Sequence, residues 1–387
     1  MRSVETRGPQ DLSADTWATP DSATAQGLRN EPLLVVEGLK THFKLPLGMV
    51  KAVDGVDLTV DRGRTIGIVG ESGSGKTVLA RTIMRLNLGA NVFTEGSVRY
   101  AGVDLLDVPN KKMREYWGAE MSMVFQDPMT SLNPVVRIGR QITEHLRHHL
   151  GLSKEEAKET ALALLKEVRI PEAEARLSAY PHQLSGGMRQ RVCIAIAIAC
   201  GPRLLFADEP TTALDVTVQH QIMNVLAREQ RERDMGMVLV THDLGVVAGR
   251  TDDIAVMYAG KIVERASTKA LFDDVKHPYT EALLRSIPRT SHLSHTRLAA
   301  IVGRPPDLIN PPAGCSFSPR CAYAQDICFS EEPVLQEASP NHEFSCHFPV
   351  GSEPNREAFE KNVAKAMPQA VSIRRHEESL AQLGGEI

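Results

Sequence analysis

The residues with the clearest chemistry are Gly70-Glu71-Ser72-Gly73-Ser74-Gly75-Lys76-Thr77. They follow the apolar run Thr65-Ile66-Gly67-Ile68-Val69 and fit the pattern G-x-x-x-x-G-K-[ST] after a strand. Glycines let a backbone turn tightly enough to aim successive N–H groups at one anion, and the helix expected over 77–86 adds the positive end of its dipole. The pattern predicts a phosphate cradle in which Lys76 reaches the β- and γ-phosphates of a nucleotide and the Thr77 hydroxyl ligates Mg²⁺. A merely structural turn has no use for Lys-Thr at that offset.

A second anion-binding arrangement is Leu184-Ser185-Gly186-Gly187-Met188-Arg189-Gln190-Arg191. Ser-Gly-Gly at a helix start can hold an anion, and taken alone it equally describes a capped helix N-terminus. Two apolar runs end in polar groups: 203–208 closes on Asp208 with Glu209 next, and 238–243 closes on Thr241-His242-Asp243.

These groups need elements to position them. Residues 33–37 and 52–60 read as strands with a turn over 45–48, forming a small β layer ahead of the phosphate loop. From 127 to about 180 the period is helical, with a capping box in Ser153-Lys154-Glu155-Glu156. A helix over 188–199 stops at Gly201-Pro202, and 203–208, 238–243 and 254–257 are buried strands by length and apolarity. Strands separated by helices imply an α/β fold with a mainly parallel sheet, where ligand groups gather at the carboxyl ends of strands. Gly70, Asp208 and His242 all sit at such ends.

The chain has 387 residues, 42% hydrophobic and 24% charged, which suits a soluble globular protein of two or three domains. Its longest apolar run, 192–200, falls far short of the roughly 18 residues a membrane-spanning helix needs. Residues 1–31 are small and polar, lack a secretory signal, and read as a disordered tail. A net charge of −4 gives no global reason to bind nucleic acid. Of six cysteines, Cys193 and Cys200 lie in an apolar helix as core residues, while Cys315, Cys321, Cys328 and Cys346 cluster near the C-terminus. In a reducing compartment such a cluster reads as a metal site before a disulfide framework.

The phosphate loop, Gln126, the Ser-Gly-Gly segment, Asp208-Glu209, Ala213-Leu214-Asp215 and His242 occur in an order that resembles the ATP-binding subunits of ABC transporters, over about 33–287. The resemblance implies a P-loop NTPase fold: a mainly parallel sheet core, an antiparallel β subdomain and a helical subdomain. It makes 70–77 the Walker A loop, Gln126 the Q-loop glutamine, 184–190 the signature, Asp208-Glu209 the Walker B end, Asp215 part of the D-loop and His242 the switch histidine. It further implies that Thr77, Gln126 and Asp208 attend Mg²⁺, that Glu209 polarises the attacking water, and that His242 contacts the γ-phosphate. Ser185, Gly186, Gly187 and Asp215 then complete the ATP site of a facing partner, so the working enzyme is a dimer. Phe43 either stacks on adenine or packs inward as a strand residue.

Gly303-Arg304-Pro305-Pro306 and the run from Pro312 to Cys321 are similar to the C-terminal extension of oligopeptide/dipeptide/nickel importer ATPases. The cysteines read C-x5-C-x6-C-x17-C, wider than the hooks of most zinc modules. Four thiolates can hold a [4Fe–4S] cluster or tetrahedral Zn²⁺, and the resemblance favours the cluster. The implied organisation is a tail over 1–31, an ABC ATP-binding domain over 32–286, a cysteine module over 287–350 and a polar C-terminal tail over 351–387. The implied function is ATP hydrolysis driving import of peptides or a related solute. The implied partners are a second ATPase subunit, paralogue or self, two transmembrane permease subunits, and indirectly an extracytoplasmic solute-binding protein. No nucleic acid is expected, and the implied location is peripheral, on the cytoplasmic face of the inner membrane. A soluble ABC ATPase acting on nucleic acid or ribosomes, or an exporter subunit, are the competing readings.

Overall fold

The computed structural model describes residues 31–212, 214–287 and 301–382, with side chains to 378. The expected N-terminal tail, except Glu31, and the stretch 288–300 lie outside the described residues, as does Ala213. In chain order the strands are β1 (Leu34–Leu45), β2 (Gly48–Val60), β3 (Thr65–Val69), β4 (Val92–Tyr100), β5 (Val103–Asp104), β6 (Met121–Val124), β7 (Leu204–Asp208), β8 (Gly236–Thr241), β9 (Asp253–Tyr258), β10 (Lys261–Ser267), β11 (Gln336–Ser339) and β12 (His342–Phe344). The helices that matter here are α1 (Lys76–Ile83), α2 (Ile138–Leu150), α3 (Lys154–Glu167), α4 (Gly186–Ile198), α5 (Val216–Arg233), α6 (Pro278–Arg285), α7 (Glu353–Ala364) and α8 (Pro368–Gln382). The chain divides into two compact units: the first holds Thr59–Gly63 and Arg99–Met237 with the described end of Met1–Leu34, and the second holds Val35–Leu58, Arg64–Val98 and Val238–Ile387.

In the first unit β6 and β7 pair in parallel, with Met121 opposite Leu204 and Val124 opposite Ala207. All five residues of β7 are buried, as continuous apolar runs in parallel sheets must be. The helices of this unit start where local chemistry dictates. Ser153 and Glu156 form the reciprocal box, with Glu156 N–H on the Ser153 hydroxyl at 3.2 Å and Ser153 N–H on the Glu156 carboxylate at 2.9 Å. Helix α4 begins at Gly186, two residues before the apolar pattern, because Ser185 caps it by accepting from Met188 N–H at 3.3 Å. Leu146, Ala161 and Leu165 carry the apolar faces of α2 and α3 into the core.

In the second unit the strand order is β11-β12-β10-β9-β3-β8, with β3 and β9 parallel and the β9–β10, β10–β12 and β11–β12 pairs antiparallel. Here β1 lies between β2 and β4, and the inward positions of β2 alternate through Val56 and Leu58 as its sequence pattern requires. Strand β1 runs eight residues past the expected 37. The expected helix over 77–86 instead closes at Ile83, where the Met84 N–H bonds back to Ala80 and Arg85 turns left-handed at φ 54°. The two short strands β11 and β12 carry no alternation that would announce them. They are placed by tertiary pairing, Glu264 of β10 standing opposite Phe344.

That pairing buries charge. Glu264 is fully enclosed, and its carboxylate accepts the N–H groups of Lys276 and His277 at 2.7 and 2.9 Å while standing 2.9 Å from His342 Nε2. His277 caps α6, its Nδ1 accepting from Tyr279 N–H at 3.0 Å, and burial lowers its pKa to about 3. The folded chain therefore keeps this imidazole neutral where the unfolded chain, with a histidine pKa near 6.5, takes up a proton. The stability it confers is complete above about pH 6.5 and is lost as the pH falls toward 3, on the order of 2 kcal/mol by pH 5. His277→Asn, which can still cap the helix, is expected to flatten that acid limb in urea melts run between pH 7 and 5. An unchanged slope would remove His277 as its source.

Candidate functional site

The phosphate loop is built from the second unit. Gly75 stands at φ 106°, and a Cβ there would come within 2.1 Å of the Ala52 carbonyl; at Gly70 it would meet the Met257 carbonyl at 2.2 Å. Only glycine permits this close backbone approach. Ser74 O accepts from Gly260 N–H at 2.9 Å, which ties the loop to the β9–β10 turn. Lys76, 5% exposed, reaches back over the loop and donates to the carbonyls of Gly70 and Glu71 at 2.7 and 2.8 Å and to Ser74 Oγ at 3.3 Å. Its cation thus lies against the carbonyls of the turn formed by residues 70–76, at the start of α1. Ser72 and Gly73 are exposed, and Thr77 is half-buried. His242 is exposed directly after β8, the neighbour of β3 in the sheet, and Asp243 beside it caps the next turn through Gly245 N–H at 2.7 Å. Phe43 is a half-buried residue of β1.

The acidic part is built from the first unit. Because Val124 pairs with Ala207, Gln126 and Glu209 each lie two residues beyond that rung, at the same end of adjacent parallel strands. Asp208 is fully buried, Glu209 half-buried and Gln126 exposed. Glu209 adopts φ 46°, a left-handed conformation costing about 1–3 kcal/mol for a residue with a Cβ, and such strain collects at functional sites. The Thr212 hydroxyl holds it, 3.0 Å from its carboxylate and 3.2 Å from its carbonyl.

Ser185 and Asp215 are both helix caps. Asp215 accepts from Val218 N–H at 2.9 Å at the head of α5, and both side chains are exposed. Gly186 and Gly187 form the first turn of α4. The local geometry therefore realises the capping role at both positions and leaves these groups on the surface.

Cys315, Cys321, Cys328 and Cys346 line one small cavity together with His277 and His347. None is in a disulfide. Burial pushes the Cys315 thiol up to about 11 and raises Cys321, Cys328 and Cys346 as well, with the other sulfurs adding to the shift at Cys315, Cys321 and Cys346. Backbone N–H groups of Tyr323 and Phe348 point at Cys321 and Cys346 sulfurs, each at 3.4 Å. An all-thiol set with N–H donors suits a tetrathiolate centre in chemistry, while among the described residues no three His, Cys, Asp or Glu are drawn together closely enough to clasp a single metal ion. His342 is committed to Glu264 and His347 faces the Glu331 carbonyl at 3.0 Å. Cys193 is a core thiol as expected, but Cys200 lies past the end of α4 and is half-buried; burial raises the two to about 12 and 11.

Three residues that the sequence patterns do not single out act on this machinery: Thr212 on Glu209, and Tyr279 and Arg320 on Glu71. Thr212 and Tyr279 carry no motif. Arg320 lies in the cysteine run, and its position between Cys315 and Cys321 is the one local signal.

Residues 53–212 match the family described as ABC transporter, and residues 263–328 match the family described as oligopeptide/dipeptide transporter, C-terminal region. The chain is 49% identical over 316 residues to the dipeptide transport ATP-binding protein DppD of Lactococcus lactis subsp. cremoris, covering 81% of this chain and 90% of that protein. It is 48% identical over 316 residues to the oligopeptide transport ATP-binding protein OppD of Bacillus subtilis, covering 81% and 88%. Among solved structures, a dimeric ATP-binding cassette in a post-hydrolysis state with ADP and Pi aligns with a TM-score of 0.56 at 27% identity, over 61% of this chain and 98% of that one.

Proposed function

The chain belongs to the ATP-binding subunits of ABC transporters, in the oligopeptide/dipeptide class, and from that premise we propose how its residues drive transport. It is the ATPase of an importer that includes membrane permeases, coupling ATP binding and hydrolysis to uptake of peptides or a related solute. Among the described residues no helix is long and apolar enough to cross a membrane, so the permeases supply the path. The observation that carries the catalytic reading is the β6–β7 register, which sets Gln126, Asp208 and Glu209 at one strand end.

Residues 70–77 cradle the phosphates, with Lys76 on the β- and γ-groups. Thr77, Asp208 and Gln126 are the residues that would attend Mg²⁺, and the ion would offset charge on the phosphoryl group. Glu209 orients and polarises the attacking water, and His242 hydrogen-bonds the γ-phosphate. Ser185 and Asp215, exposed at helix starts, complete with the half-buried Gly186 and Gly187 the ATP site of a facing second ATPase subunit, a paralogue or a second copy. Phe43 offers its ring to adenine. Closure on ATP and opening after hydrolysis form the stroke, at the cytoplasmic face of the membrane, and a solute-binding protein on the far side delivers the cargo.

Cys315, Cys321, Cys328 and Cys346 would hold a [4Fe–4S] cluster, with Zn²⁺ the competing occupant, and the bound group would fasten the C-terminal module. Anaerobically purified full-length chain is expected to be coloured and to contain about four iron atoms. Colourless protein with one zinc per chain would exclude the cluster.

The transport reading is tested by affinity purification of the full chain from membranes. Two membrane-spanning subunits and a second ATPase should accompany it, and peptide with binding protein should stimulate hydrolysis in reconstituted vesicles. ATPase activity stimulated by nucleic acid, with no membrane partner, would overturn it.

A further inference from the structure

Glu71, the residue after the first glycine of the phosphate loop, is gripped from outside the loop on two sides. Its carboxylate accepts from both terminal guanidinium nitrogens of Arg320, Nη1 and Nη2, at 2.5 and 2.9 Å, and its N–H donates to the Tyr279 hydroxyl at 2.7 Å. Its carbonyl meanwhile accepts from Lys76. One residue therefore joins the phosphate-binding lysine to two side chains that lie more than 200 positions further along the chain.

Arg320 is itself held. It is 5% exposed, donates to the Val302 carbonyl at 3.2 Å and the Tyr258 hydroxyl at 3.3 Å, and its guanidinium carbon stands 5.9 Å from the Tyr258 ring centre. Phe317, in the same short turn, packs 5.3 Å from both the Tyr258 and Tyr279 rings. Cys315 and Cys321 bracket that turn. A bidentate Arg–carboxylate pair is among the strongest polar contacts; here the Arg320 side chain is buried and that of Glu71 26% exposed, so loss of Arg320 leaves a half-buried carboxylate without its cation. A loop that receives a polyanion also has reason to neutralise its own carboxylate.

We propose that Arg320 is a positioning residue for nucleotide binding: by neutralising and fixing Glu71 it sets the charge and shape of the phosphate loop, so that the cysteine module governs affinity for ATP. The proposal rests on residues 70–77 being the phosphate cradle.

The test is equilibrium titration of the full chain with a fluorescent ATP analogue, alongside steady-state ATPase kinetics. Arg320→Met is expected to weaken binding at least about tenfold and to raise KM with kcat little changed. Arg320→Met combined with Glu71→Gln removes both charges and is expected to recover to within about threefold of the starting affinity. A merely structural Arg320 would leave the nucleotide affinity and KM of the folded Arg320→Met protein unchanged. Unchanged affinity in Arg320→Met, or a double variant as weak as the single, overturns the proposal. Should Arg320→Met fail to fold by circular dichroism, Arg320→Gln replaces it with the same expected and overturning results. Lys76→Ala run in parallel should lose binding, and analogue bound normally by that variant would overturn the cradle reading itself.

Discussion

Glu209→Gln is expected to slow ATP hydrolysis by about 100- to 10,000-fold while leaving ATP binding intact. Glu209 is half-buried and directly follows Asp208, the last residue of β7, and its left-handed backbone is strain of the kind that collects at functional sites. Glutamine has the same shape and still offers an oxygen to the Thr212 hydroxyl, 3.0 Å away in the parent chain, so the fold is not the variable. What is lost is a carboxylate able to polarise water. ATP bound but not consumed should hold the two ATPase subunits closed, and light scattering in Mg²⁺-ATP should report a long-lived dimer. Hydrolysis at the original rate would assign the water-orienting role to another group.

Lys76→Ala should abolish measurable turnover by a different route, with kcat/KM lowered about 100- to 1000-fold or more and analogue binding lost. In the proposed cradle the ammonium would meet the β- and γ-phosphates. It also laces the loop together through the Gly70 and Glu71 carbonyls, so its removal frees two acceptors in a backbone arranged for anions. The two variants therefore separate cleanly: Glu209→Gln retains nucleotide and Lys76→Ala does not. A Lys76→Ala protein that bound ATP normally would dissociate residues 70–77 from the phosphates.

Much of this site was legible because its chemistry is contiguous. The cradle spans eight residues, and its internal contacts, Lys76 to Gly70 and Glu71, close over six positions or fewer. The caps at Ser153, Ser185 and Asp215 likewise close over three positions, and buried runs such as 204–208 announce parallel strands by composition. The order of motifs added the family, and the matches over 53–212 and 263–328 agree with it.

Long-range contacts were not legible. The Arg320–Glu71 clamp spans 249 positions and the Glu264–His342 pair spans 78, and neither partner's local pattern specifies the other. The same holds for β12, only three residues long, which becomes a strand because β10 offers it an edge. Residue types and short spacings, which determine backbone turns and caps through contacts within a few bonds, thus disclosed from the sequence alone that this chain belongs to an ATP-binding family and where its turns and caps fall. Only the tertiary structure decided which distant side chains brace those loops, because such contacts arise from the packing of whole strands and rings and leave no periodic trace along the chain.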